Sequence, residues 1–198
     1  MKMTFKETAA RVIRILSIPP VMATGLVILL AFKDHNFRDP AEVAMTILFL
    51  AVFPVLAYPL SAAIPGVRAK GREGQRNLAF LMTAIGYLLG MFYGIFISKN
   101  PSLIMLYGIY LLSVILLLIA NKLLRLRASG HGCSVTGPLF FLGYFLGPAG
   151  LVAGLTLFGF ILWASVVAKR HTVREFISGA CICLLSIGIV FLAAGHML

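Results

Sequence analysis

Apolar and polar positions fall in long blocks along this chain rather than alternating with the period of a strand. Apolar runs cover residues 16–33, 41–64, 77–97, 101–121, 132–147, 149–168 and 173–195. A helix needs about 20 apolar residues to cross a bilayer, with a tolerated range of about 17–25. Most of the runs meet that length. The fifth is short, holds Pro138 and ends at Gly147-Pro148-Ala149-Gly150, a turn suited to a helical hairpin. The second contains Pro54 and Pro59, so kinks are expected there, with neighbouring helices satisfying the freed carbonyls. No run alternates with period two, which excludes a closed barrel. The expected fold class is all-α: a polytopic integral membrane helical bundle of six to seven transmembrane helices.

The polar connections are short: 34–40, 65–76, 98–100, 122–131 and 169–172. With no repeat, low-complexity tract or soluble insert, residues 1–198 read as a single transmembrane domain. Gly86, Gly90 and Gly94 recur at i+4 steps, the small-residue spacing of a close helix contact.

Composition supports lipid as the solvent. Hydrophobic residues make up 61% of the chain and charged residues 12%, against about 25% charged in soluble domains. The net charge of +11 is therefore to be read by position, not as a nucleic-acid surface. In a seven-span arrangement, four Lys/Arg in residues 1–15, four in 65–76, three in 122–131 and three in 169–174 share one side. Only Lys33, Arg38 and Lys99 fall on the other. The positive-inside rule makes the basic face cytoplasmic, with the N-terminus in, for a protein of the cell membrane.

The first fifteen residues predict an amphipathic interfacial helix rather than a cleaved signal. Its Lys2, Lys6, Arg11 and Arg14 are expected to set topology and to lie outside any site. Cys133, Cys181 and Cys183 lack a metal-ligand spacing and read as small packing residues.

Three polar loops share the basic face: Arg68 to Asn77, Arg127 to Ser134 and Ser165 to Phe176. Between them they hold two histidines, a Ser-Gly pair and many cations, an inventory suited to a phosphate. Arginine binds phosphate oxygens bidentately and lysine acts as a point charge. Ser129-Gly130-His131 opens a predicted helix, whose first amides favour an anion, and Gly130 lets the backbone approach closely. The alternative for Ser129 and Gly130 is an ordinary helix cap. His171 and Glu175 are spaced i, i+4, so the carboxylate can hydrogen-bond the ring, fix its tautomer and raise the basicity of its free nitrogen. An imidazole so held can attack phosphorus while a second, His131, protonates the leaving oxygen.

Ser129-Gly130-His131 and the stretch Ala164-Ser165 through His171 to Glu175 resemble the second and third motifs of the type-2 phosphatidic acid phosphatase (PAP2) superfamily. That family's pattern is P-S-G-H, then S-R-x5-H-x3-D. The interval of 40 residues between the two histidines fits it. Lys70-Gly71-Arg72 and Arg76-Asn77 resemble its first motif, K-x6-R-P, so the resemblance covers about residues 65–185. It implies a membrane-embedded phosphatase acting on a lipid phosphate or isoprenoid (pyro)phosphate through a phosphohistidine, with no metal or cofactor. By resemblance His171 is the nucleophile, Glu175 its orienting acid and His131 the general acid. Arg76, Lys70, Ser129 and Gly130 bind the phosphate.

The chain departs from the pattern in four places. Ala128 and Asn77 replace prolines, Glu175 replaces aspartate, and Ser165 stands where the third motif has arginine. Lys169, one turn on, is the expected substitute cation, with Arg170 and Arg174 as alternatives. The departures give the alternative function, a catalytically lapsed relative that binds phospholipid headgroups or a membrane partner. An intramembrane serine protease built on Ser129 is a third reading, with Arg127 where its motif needs a glycine.

Overall fold

A computed structural model describes residues 4–34, 37 and 39–195. His35 and His196, expected on the face opposite the other two histidines, fall outside the described residues, as do Lys2 and Arg38. Helices make up the fold, and no strand occurs among the described residues. They are α1 (Phe5–Leu16), α2 (Pro19–Lys33), α3 (Pro40–Ala63), α4 (Gly71–Ser98), α5 (Pro101–Leu123), α6 (Gly130–Val167) and α7 (Val173–Gly195).

Five of them, α3 to α7, are long and apolar enough to cross a membrane, and the bent α1–α2 pair makes a sixth if it forms one span. The helical membrane bundle expected from the pattern is the fold observed. The fifth and sixth apolar runs are joined in α6, which is broken at Gly147 (φ 64°, ψ −147°), a backbone conformation open to glycine alone. Pro148 follows at the start of the second arm, where its missing N–H costs nothing. The arms, residues 130–146 and 148–167, fold back on each other as the turn sequence predicts. A Cβ on Gly154 would come within 2.7 Å of the Leu139 carbonyl oxygen, and one on Gly143 within 3.3 Å of Leu151 Cα. Lipid offers no hydrophobic drive for helix association, so backbone approach of this kind is what holds two apolar helices together.

The chain divides into two compact units, residues 1–26 with 112–198 and residues 27–111. In the first, Val135 and Leu139 of one α6 arm, Ile161 of the other and Phe176 of α7 form a buried cluster, with Ile13 of α1 packed against it. In the second, glycines of α4 admit close neighbours from α3 and α5. A Cβ on Gly86 would collide with the Phe49 carbonyl of α3 and one on Gly90 with the Tyr107 ring of α5. The spacing of Gly86, Gly90 and Gly94 is thus a packing device, as read from the sequence. Tyr107 is buried and its hydroxyl bonds Thr46 Oγ1 at 3.0 Å. A π-helical turn, Leu48–Val52, precedes Pro54 in α3 and absorbs the missing donor expected to disturb that run.

The N-terminal helix is amphipathic, as expected, and bends by 53° into α2. Its facing is not as expected. Ala10, Ile13, Arg14 and Ser17, at i, i+3, i+4 and i+7, form the inward stripe, with Ala10 and Ser17 buried. Phe5, Val12, Ile15 and Leu16 are exposed. An arginine, expected to set topology and to lie outside any site, therefore lies on the face that packs against α6.

Candidate functional site

The link between α6 and α7 is built from two helix ends with one residue between them. At the end of α6 the Lys169 amide donates to Val166 O (2.9 Å) and the Arg170 amide to Ser165 O (3.1 Å). This is a Schellman ending, with Lys169 in the left-handed position at φ 51°. A non-glycine residue there costs about 1 kcal/mol. At the start of α7, Thr172 and Glu175 form a capping box. The Glu175 amide donates to Thr172 Oγ1 (3.2 Å) and the Thr172 amide to Glu175 Oε2 (3.0 Å). His171 is the residue left between these two endings.

Its ring Nδ1 lies 3.6 Å from Glu175 Oε2, an ion-pair distance rather than the hydrogen bond expected. The same oxygen serves the cap, so Glu175 has two tasks. Burial holds the His171 imidazole below its ordinary pKa. Glu175 acts against that shift and Arg14 adds to it. Neutral imidazole, the form that can attack an electrophile, is therefore favoured at neutral pH.

The start of α6 is tied to α7 by the backbone. The Ser129 amide donates to the Glu175 carbonyl at 2.9 Å. A Cβ on Gly132 would collide with the Phe176 carbonyl, and one on Gly179 with the Ser129 carbonyl. These two glycines let the segments touch, and the sequence signal was available in their small size. At Gly130 a Cβ would meet no atom within 4 Å.

Ser129 is 1% exposed, and its hydroxyl accepts from the Gly132 amide (3.1 Å) as the N-cap. Such a cap contributes about 1 kcal/mol. With its amide and its hydroxyl both engaged, Ser129 has the helix-cap role. The first-turn amides of Gly130 and His131 have no carbonyl acceptor within α6 and remain as donors.

His131 lies in this first turn of α6. Its ring stands edge-on to Phe176, with centroids 6.1 Å apart, and its Nε2 is 3.3 Å from Ser17 Oγ of α1. The charges of Arg14 and His171 both act on it. One imidazole from the first turn of α6, one from the link before α7 and the Arg14 guanidinium thus act on one another within the first unit.

Ser165 is 0% exposed and its hydroxyl has no hydrogen-bond partner. Lys169, its expected substitute, is exposed and close enough to Glu7 to act on it electrostatically. Lys70 and Arg76 belong to the second unit. Both are exposed, Lys70 just before α4 and Arg76 in its second turn. The cluster within the first unit contains neither.

Among the described residues, no three His, Cys, Asp or Glu side chains come together in a way that could hold a metal ion. The three cysteines are free, Cys133 and Cys183 buried and Cys181 exposed. No family model matches the chain, and neither a curated protein nor a solved structure matches it.

Proposed function

We propose that this membrane protein is a phosphatase, similar to the PAP2 superfamily, that hydrolyses a lipid phosphate or isoprenoid (pyro)phosphate through a phosphohistidine on His171. The observation that carries the reading is the Ser129–Glu175 backbone bond, which joins the start of α6 to the start of α7, with His131, His171 and Arg14 close enough to act on one another electrostatically.

Glu175 at Nδ1 leaves Nε2 of His171 as the attacking atom. The Nε2 lone pair forms the N–P bond as the P–O bond to the leaving group breaks, the lipid alcohol of a monophosphate or the prenyl monophosphate of a pyrophosphate. His131 gives its proton to the leaving oxygen. Water then attacks the phosphohistidine, His131 takes a proton from it, and inorganic phosphate leaves with His171 restored. The amides of Gly130 and His131 suit the phosphoryl oxygens. Lys169 remains a proposed phosphate cation. A bundle in lipid suits a substrate with an apolar tail. By the distribution of Lys and Arg, we place the basic face of this cell membrane protein in the cytoplasm.

Release of phosphate from phosphatidic acid and from prenyl pyrophosphates by purified protein tests the reading, with His171→Ala as control. His171-dependent release is expected with at least one of these substrates. Its absence across the panel would favour the second reading, a lapsed relative that binds headgroups or a membrane partner. The observation on that side is that Glu175 Oε2 is shared with the helix cap, while Ser165 offers no charge.

A further inference from the structure

Arg14 is placed where a membrane-surface arginine has no reason to be. The inward stripe of α1 is seated by Ile13 against the Val135–Phe176 cluster and by Ser17 against His131. Arg14 lies between these contacts, one turn before Ser17. It is half-buried, and its Nε is buried with no hydrogen-bond partner. Leaving a buried donor unmatched costs about 1–3 kcal/mol, and more when the group is charged.

The charges around it do not compensate. Arg14 acts on His131 and on His171, and Arg170 acts on Arg14. The nearby acids have other partners. Glu7 is held by Thr4 at the far end of α1, and Glu175 by Thr172 and His171. Arg14 and Arg170 act on each other as like charges, and an anion beside them turns that repulsion into attraction. A guanidinium offers planar paired donors that fit two oxygens of a phosphoryl group.

We propose that Arg14 of α1 is a phosphate-binding residue, holding oxygens of the phosphoryl group that lies at His131 and His171; the proposal rests on the phosphatase reading above. It gives α1 a part in the site in addition to that of an interfacial anchor. The cation missing at Ser165, the end of α6, is supplied from a different helix.

The test uses the full chain in detergent. Binding of orthovanadate and inorganic phosphate is measured by calorimetry beside phosphate release, for wild type, Arg14→Gln, Arg14→Lys, Arg14→Ala and the exposed control Lys6→Gln. Arg14→Gln is expected to weaken vanadate binding at least about tenfold, equivalent to about 1.4 kcal/mol, with an unchanged melting temperature. Arg14→Lys should retain part of the binding. Added guanidinium should restore phosphate release by Arg14→Ala, which a merely structural role would not allow, and Lys6→Gln should match wild type.

Vanadate binding by Arg14→Gln equal to wild type overturns the role of Arg14 and leaves the phosphatase reading standing. So does a well-folded Arg14→Ala that guanidinium does not rescue. If Arg14→Gln does not fold, Arg14→Lys and the guanidinium experiment decide. Wild-type protein that neither binds vanadate nor releases phosphate overturns the phosphatase reading and this proposal with it.

Discussion

The starts of α1 and α7 use one device in two settings. Thr4 and Glu7, and Thr172 and Glu175, each form a capping box. At α1 the second donor to the carboxylate is the hydroxyl of Thr4 itself (3.0 Å), and the box closes on itself at the surface. At α7 the second neighbour of the carboxylate is the His171 ring at 3.6 Å. A glutamate at the fourth position of such a box is a helix-start residue first. What makes Glu175 more than that is the imidazole placed just before its cap, and the backbone bond that ties it to Ser129.

The comparison breaks most visibly at the histidine. His171→Ala is expected to lower phosphate release by about a thousandfold or more, the scale of a lost nucleophile. Glu7→Gln should leave the rate unchanged in the same assay. Next is the tie to α6, which the α1 cap does not have. Gly179→Ala puts a methyl into the Ser129 carbonyl. The expected loss is about 1–3 kcal/mol of stability and most of the activity, read by thermal denaturation and turnover. Gly159→Ala, with open space around it, is the neutral control.

Glu175→Gln should cost about tenfold in turnover, or about 1.4 kcal/mol. Thr172→Ala and Thr4→Ala should each cost about 1 kcal/mol of stability, with only the first altering the rate.

The smallest effect is in titration. Glu175 raises the His171 pKa against burial, so Glu175→Gln should lower it further, while Arg14→Gln should raise it. Glu7→Gln should not move it. Histidine NMR signals over a pH series read all three. The sign for folding follows: a histidine with a depressed folded pKa favours the native state above its ordinary value near 6.5. That contribution is lost as pH falls through the folded pKa.

Much of the fold was legible because lipid imposes one rule on every segment. The runs, the hairpin turn at Gly147 and the Gly86–Gly94 seam all follow from length, glycine conformation and side-chain size. The site was legible in its histidines, since polar residues stand out in apolar sequence. Two features were harder to read. Thr172 to Glu175 carries a capping-box pattern, but the i, i+4 spacing from His171 offered the same carboxylate another use. Arg14 lies among other cations near the chain start, and only the packing of Ala10, Ile13 and Ser17 distinguishes its face. A hydrophobic stripe predicts that residues at i, i+3 and i+4 point inward. It does not predict that one of them is charged.

The turn at Gly147 and the link at 168–172 differ in tolerance to change of length. At Gly147 the chain reverses through one flexible residue, and extra residues there would extend a loop. At 168–172 a completed helix ending and a completed helix start adjoin with His171 alone between them. There is no slack to absorb an insertion. One added residue would either unlatch the Schellman ending or swing the imidazole away from its carboxylate. The position of this side chain is thus set by counting along the backbone, and a length scan of the two turns would find one permissive and the other not.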